Sequence, residues 1–161
     1  MKPTLFLRIA SVLTFVFCAA HTTGGVFGQP APGAQAFVAQ TMQANAFDLM
    51  GSRRTWWDFN MGYGLLVSIT LIVHAFLFWH LGTLVKTEGG RLKTILALLF
   101  VEFAAQAPIA GRYFFIGPCI ISALIAACLA VAFFTAPEAL AGAGNPLRGE
   151  AIGPRRTQDP V

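Results

Sequence analysis

The sequence predicts an all-α fold, a bundle of four transmembrane helices with a short amphipathic helix in the first loop. The mean hydropathy is +0.66, and 56% of the residues are hydrophobic. Only 11% are charged, against about 25% in soluble domains. Several apolar stretches are long enough to cross a bilayer core of about 30 Å. We expect a membrane domain over residues 1–140, with spans at about 4–24, 59–84, 92–111 and 114–136.

The first apolar stretch, residues 4–24, begins beside Lys2 and Arg8. A cleaved signal peptide is the alternative, because the charged start and Ala19-Ala20 fit that pattern. We favour a retained helix, since residues 9–28 stay mostly apolar beyond the usual length of a signal core.

The loop over residues 29–52 is predicted to hold the amphipathic helix. Pro30, Pro32 and Gly33 break the first span. Apolar side chains then recur at near-helical spacing, and Gly51 suits a helix end; they are Phe37, Val38, Met42, Leu49 and Met50. We interpret this helix as a packed loop element rather than a ligand lid.

The second span carries the clearest boundary signals. Residues 61–84 would form roughly 35 Å of helix, and Trp56 and Trp57 precede them where an aromatic belt belongs. The charged sequence KTEGGRLK, residues 86–93, predicts a tight turn that makes spans two and three antiparallel neighbours. Residues 141–161 are polar and rich in proline and glycine, and we expect a disordered cytoplasmic tail.

The distribution of positive charge predicts the orientation. With both termini in the cytoplasm, eight of the 11 Lys and Arg residues lie inside, as the positive-inside rule favours. We therefore predict a multi-pass protein of the bacterial cytoplasmic (inner) membrane, with the lipid bilayer as its main partner. No long basic run suggests nucleic acid.

Three polar residues form the first candidate site, within the second and third predicted spans. Glu102 is expected near mid-membrane, where a carboxylate needs a partner or a proton. His74 falls at a similar depth on the neighbouring helix, and Gln106 lies one turn from Glu102. One interpretation of these residues is a proton or cation relay. The other is a hydrogen-bonded pair of His74 and Glu102, extended by Gln106, that fixes the register of the helices, and we favour this structural interpretation.

Charged and aromatic residues gather at the predicted outer rim, and they form the second candidate site: His21, Arg54, Trp57, Asp58 and Arg112. Helix capping and boundary anchoring explain most of them. The alternative is a rim that receives an anionic ligand or a partner protein.

Neither a metal nor another cofactor is predicted. Cys18, His21 and Cys119 could approach one another, but this spacing is not a zinc signature. The three histidines fall at different depths, which does not suit a haem with two histidine ligands.

Three segments resemble a family of small bacterial four-helix membrane proteins of unknown function. They are residues 21–25 (HTTGG), 54–64 (RTWWDFNMGYG) and 114–118 (FFIGP), compared with His-Thr-x-Gly, Arg-x-Tyr-Trp-Asp-Phe-x-x-Gly-x-Gly and Phe-Phe-x-x-Pro. Trp56 stands where the family has Tyr. The resemblance covers about residues 5–136 and brings no assigned activity. It implies a common outer feature that comprises His21, Arg54, Trp57, Asp58, Gly62, Gly64 and Pro118.

The sequence favours a non-enzymatic role, since no nucleophile lies beside a base on a recognisable motif. We expect an accessory or structural subunit that binds lipid or another membrane protein, or that forms a homo-oligomer. The alternative is a small transporter or redox-linked protein that uses Glu102 and His74 or the outer rim.

Overall fold

The computed structural model describes residues 2–137, which are mostly helical (84%). Helix α1 continues into a π-helical segment, and α2 and a two-stranded hairpin precede two further helices. The predicted disordered tail, residues 141–161, lies outside the described residues. The elements are α1 (Lys2–Ala20), the π segment (His21–Val26), α2 (Ala34–Ala44), β1 (Ala46–Leu49), β2 (Ser52–Thr55), α3 (Trp56–Tyr113) and α4 (Ile116–Thr135).

Three helices are long and apolar enough to cross a membrane: α1 with its π segment, α3 and α4. Helix α3 has 58 residues, and its backbone is non-helical at Glu88, with φ −114° and ψ 18°. A straight helix would hold His74 and Glu102 roughly 40 Å apart, yet His74 Nε2 lies 3.4 Å from Glu102 Oε2. The chain therefore reverses at Glu88, and the two halves of α3 pack side by side.

Close approaches at glycines define the two ends of the molecule. At the turn end, Gly89 packs against Pro137, and Gly82 packs against Leu7 and Arg8. The start of α1, the Glu88 bend and the exit from α4 therefore lie together. At the opposite, loop end, Gly64 meets Val26.

The core is a narrow apolar column between the helices. Its fully buried large side chains come from α1, both halves of α3 and α4, and include Leu7, Phe78, Leu96, Phe103, Ile125 and Leu129. Many large apolar side chains point outward instead, among them Val12, Phe15, Leu66, Phe76, Leu98 and Phe134. Soluble proteins seldom expose so much contiguous apolar surface, so this exterior suits lipid.

The first loop differs from the prediction. Helix α2 ends at Ala44, and residues 46–55 form an antiparallel hairpin in which Leu49 pairs with Ser52. Met50 and Gly51 have φ 49° and 80°, as a two-residue type I′ turn requires. Leu49 and Met50 therefore do not lie on a helix face, and Gly51 closes a hairpin rather than a helix.

Candidate functional site

A cavity of about 280 Å³ lies between α1, the two halves of α3 and α4. Its walls are mostly apolar, formed by side chains such as Phe17, Leu71 and Pro118. Five polar residues line it: His21, Thr70, His74, Gln106 and Ser122. Apolar walls with a few convergent polar groups are typical of small-molecule sites.

His74 is held in this cavity wall by two aromatic rings. Its ring stacks on Phe78 at 5.8 Å between centroids and meets the edge of Phe103 at 5.6 Å. These contacts hold Nε2 toward Glu102, whereas Nδ1 is buried and has no hydrogen-bond partner. A buried nitrogen without a partner is costly, so His74 has an unused capacity to bind.

Glu102 links the histidine to the next turn of α3. Its Oε1 accepts a hydrogen bond of 3.1 Å from Gln106 Nε2, while Oε2 faces His74. The Glu102 side chain is 36% exposed and that of His74 only 14%. The three predicted intramembrane residues thus form one connected chain from the cavity wall to the helix exterior.

A second polar network ties α1 to α3 at the loop end. His21 Nε2 donates to the Gly64 carbonyl at 3.1 Å. Thr22 Oγ1 donates to Ser68 Oγ at 2.8 Å, and Ser68 Oγ donates to the same Gly64 carbonyl at 3.1 Å. Cys18 Sγ donates to the Ser68 carbonyl at 3.4 Å. We call these five residues the loop-end network.

The π segment explains how His21 and Thr22 both reach α3. A π-helix is wider than an α-helix and turns successive side chains through a smaller angle, so these adjacent residues can face one neighbouring helix. Sequence reasoning missed Ser68. The available signal was a serine one turn after Gly64, where the absent glycine side chain lets α1 approach.

The predicted outer-rim residues do not form one site. Arg54 and Asp58 line a shallow external groove of about 330 Å³ along α3. Trp57 lies instead under α2, in a separate depression, and Arg112 lies 5.5 Å from the Tyr113 ring centre. His21 belongs to the interhelical cavity.

Asp58 supports the N-terminal cap of α3, in which Thr55 is the N-cap residue. Its Oδ2 accepts a hydrogen bond of 2.8 Å from the Thr55 amide, and its own amide donates to Thr55 Oγ1 at 3.1 Å. This reciprocal arrangement is a capping box. The hydrogen bond from the Thr55 amide, then that from its side chain, lowers the pKa of Asp58 below 3.8, although burial opposes this.

Cys18, His21 and Cys119 each contact α3 in the described part of the chain. Residues 2–137 contain no group of three His, Cys, Asp or Glu side chains placed to hold a metal ion. Cys18 and His21 both bond to backbone carbonyls of α3, and Cys119 packs beside Gly111.

The cavity can therefore hold a small molecule by apolar contact and a few hydrogen bonds, and the His74–Glu102 pair can share a proton. Comparisons with protein-family models, with curated proteins and with solved structures find no match for this chain.

Proposed function

We propose that this chain is a four-span protein of the bacterial cytoplasmic membrane that binds a lipid-soluble molecule in the interhelical cavity. The exposed apolar exterior and the reversal at Glu88 support four spans. The positive charges support both termini in the cytoplasm. The role we propose is that of a non-enzymatic accessory subunit.

The observation that carries this proposal is a mostly apolar cavity with His74 in its wall, because the buried Nδ1 of that histidine has no hydrogen-bond partner. In a membrane every buried polar group needs a partner, because lipid tails offer none. A ligand with a small polar head could satisfy His74 and Ser122 while its apolar part contacts Phe17 and Leu71.

The experiment is native mass spectrometry of protein extracted gently from its own membrane. We expect a bound small molecule on the wild type and a loss of at least about tenfold in occupancy for His74→Leu. His80→Leu is the matched control, because His80 lies on the same half of α3 but is exposed. Equal occupancy in the two variants, or a wild type with no ligand, would contradict the proposal.

The same spectra address partners. A stoichiometric second protein would identify the subunit that this chain accompanies, and a multiple of its own mass would identify a homo-oligomer. We also propose that the chain belongs to the family of small bacterial four-helix membrane proteins that it resembles. The residues shared with that family would include His21, Gly64 and Pro118.

A second candidate function is a proton relay, and the His74–Glu102 contact of 3.4 Å favours it. In a relay, a proton would pass between the Glu102 carboxylate and the His74 ring on the cavity wall. Proton flux into vesicles that contain purified protein would fall in Glu102→Gln if the relay operates. If Glu102→Gln has lower thermal stability but unchanged proton flux, the His74–Glu102 pair has a structural role only.

A further inference from the structure

Arg8 lies in an unusual setting at the turn end of the molecule. Its guanidinium carbon lies 3.5 Å from the centre of the Trp79 ring, and NH2 donates a hydrogen bond of 3.0 Å to Thr83 Oγ1. The Arg8 side chain also packs against Gly82, where a Cβ would lie 3.4 Å from Arg8 Nε. The guanidinium is thus held flat against α3 near the end of the bundle.

Unused hydrogen-bonding capacity is concentrated at this point. Among residues 2–137, three buried side-chain polar atoms have no hydrogen-bond partner. One is His74 Nδ1, and the other two are Arg8 NH1 and Thr4 Oγ1. Thr4 and Arg8 are one turn apart on the same face of α1, so both unused groups belong to one locality.

Within residues 2–137, no anionic partner of Arg8 is found. His74 with Glu102 and Arg91 with Glu88 are ion pairs in this range, and neither includes Arg8. A half-buried cation in apolar surroundings is costly without an anion. The ring of Trp79 compensates only in part.

We propose that Thr4, Arg8, Trp79 and Thr83 form a binding site for the phosphate group of an anionic phospholipid. A guanidinium presents a planar fork of N–H donors that matches phosphate oxygens. Trp79 is 52% exposed, and tryptophan favours the depth of lipid headgroups. The exposed Lys2 and Lys86 add positive potential at the same end. The site depends on the proposed membrane crossing but not on the cavity ligand.

The test is the thermal unfolding midpoint of the full chain in detergent, titrated with three probes: phosphatidylglycerol, phosphatidylcholine and inorganic phosphate. We expect phosphatidylglycerol to raise the midpoint most. Arg8→Gln should weaken the apparent affinity for it by about tenfold or more, and Arg8→Lys should restore part of it. Arg91→Gln, which removes an exposed positive charge near the same end, should behave as the wild type.

The alternative results are distinguishable. An equal shift with inorganic phosphate would show a site for the free anion and overturn the lipid assignment. An equal shift with phosphatidylcholine, or equal losses in Arg8→Gln and Arg91→Gln, would also overturn it. If Arg8→Gln does not fold, Trp79→Leu keeps the charge and should lose preference for the anionic lipid. Retention of the cavity ligand in Arg8→Gln separates this site from the one at His74.

Discussion

Two polar groups of residues lie between the helices: the loop-end network, and a His74 layer that consists of His74, Glu102 and Gln106. They differ in how completely their hydrogen bonds are satisfied. In the loop-end network, His21, Thr22 and Cys18 all reach acceptors on α3. In the His74 layer, one histidine nitrogen has a carboxylate partner and the other has none. The first layer joins two helices, whereas the second retains a free group on a cavity wall.

This difference separates a structural role from a binding role. A satisfied polar network gains nothing from a ligand, since each group already has its partner. An unsatisfied group becomes more stable when a ligand supplies the missing hydrogen bond. We therefore expect loss of the hydrogen bond between Thr22 and Ser68 to alter stability alone, and changes around His74 to alter occupancy of the cavity.

The largest effect should come from Phe103→Ala. Phe103 is fully buried and holds the edge of the His74 ring, so its loss should cost about 3–5 kcal/mol of unfolding free energy and also reduce cavity occupancy. Phe100→Ala, on the exposed side of the same half-helix, is the control. Denaturant titration with native mass spectrometry would measure both quantities. If Phe103→Ala is destabilised but its cavity is fully occupied, the aromatic packing around His74 is not needed for ligand binding.

A smaller effect is expected from Thr22→Val, which keeps the shape of the side chain but removes the donor to Ser68. Loss of this hydrogen bond should cost about 1 kcal/mol, with cavity occupancy unchanged. The neighbouring Thr23 is exposed and bonds only within its own helix, so Thr23→Val is the control. If thermal unfolding shows equal midpoints for the two variants, the loop-end network does not hold the helices together.

The smallest effect concerns pH and the cap of α3. Because the pKa of Asp58 is lowered in the folded state, its ionised form stabilises the protein above about pH 3.8, and this contribution is lost as the pH falls through the lowered value. Asp58→Asn should therefore lower the unfolding midpoint slightly at pH 7, and this difference should shrink as the pH falls below about 3.8. A constant difference across this range would show that the charge of Asp58 does not contribute.

The contacts of the His74 layer were predictable because the position of a residue along a helix axis follows directly from its residue number. At a fixed rise per residue, the turn at residues 86–93 places His74 opposite Glu102, and Gln106 follows one turn later. The long apolar helices and the reversal were predictable for the same reason. These inferences need only periodicity and one turn.

Other features depended on geometry that periodicity does not contain. Strands of four residues, such as β1 and β2, are too short to show an alternating pattern, so Leu49 and Met50 resembled a continued helix. The π segment has no composition that separates it from an α-helix, which hid the joint approach of His21 and Thr22 to Ser68. The outer-rim residues were predicted at a similar height along the bundle, but they contact different neighbouring elements. Height along the bundle does not show which neighbouring helix a side chain faces.

The Glu88 bend has a consequence for how the protein is made. The two halves of α3 are joined with almost no intervening loop, and Gly89 at the bend packs against Pro137 at the exit of α4. In the four-span topology that we propose, neither half has a spacer long enough to remain outside the bilayer while the other enters it. The two halves would then insert together as a hairpin, and Pro137 would cover the bend only after α4 has emerged, which would make the last helix the closing step of assembly.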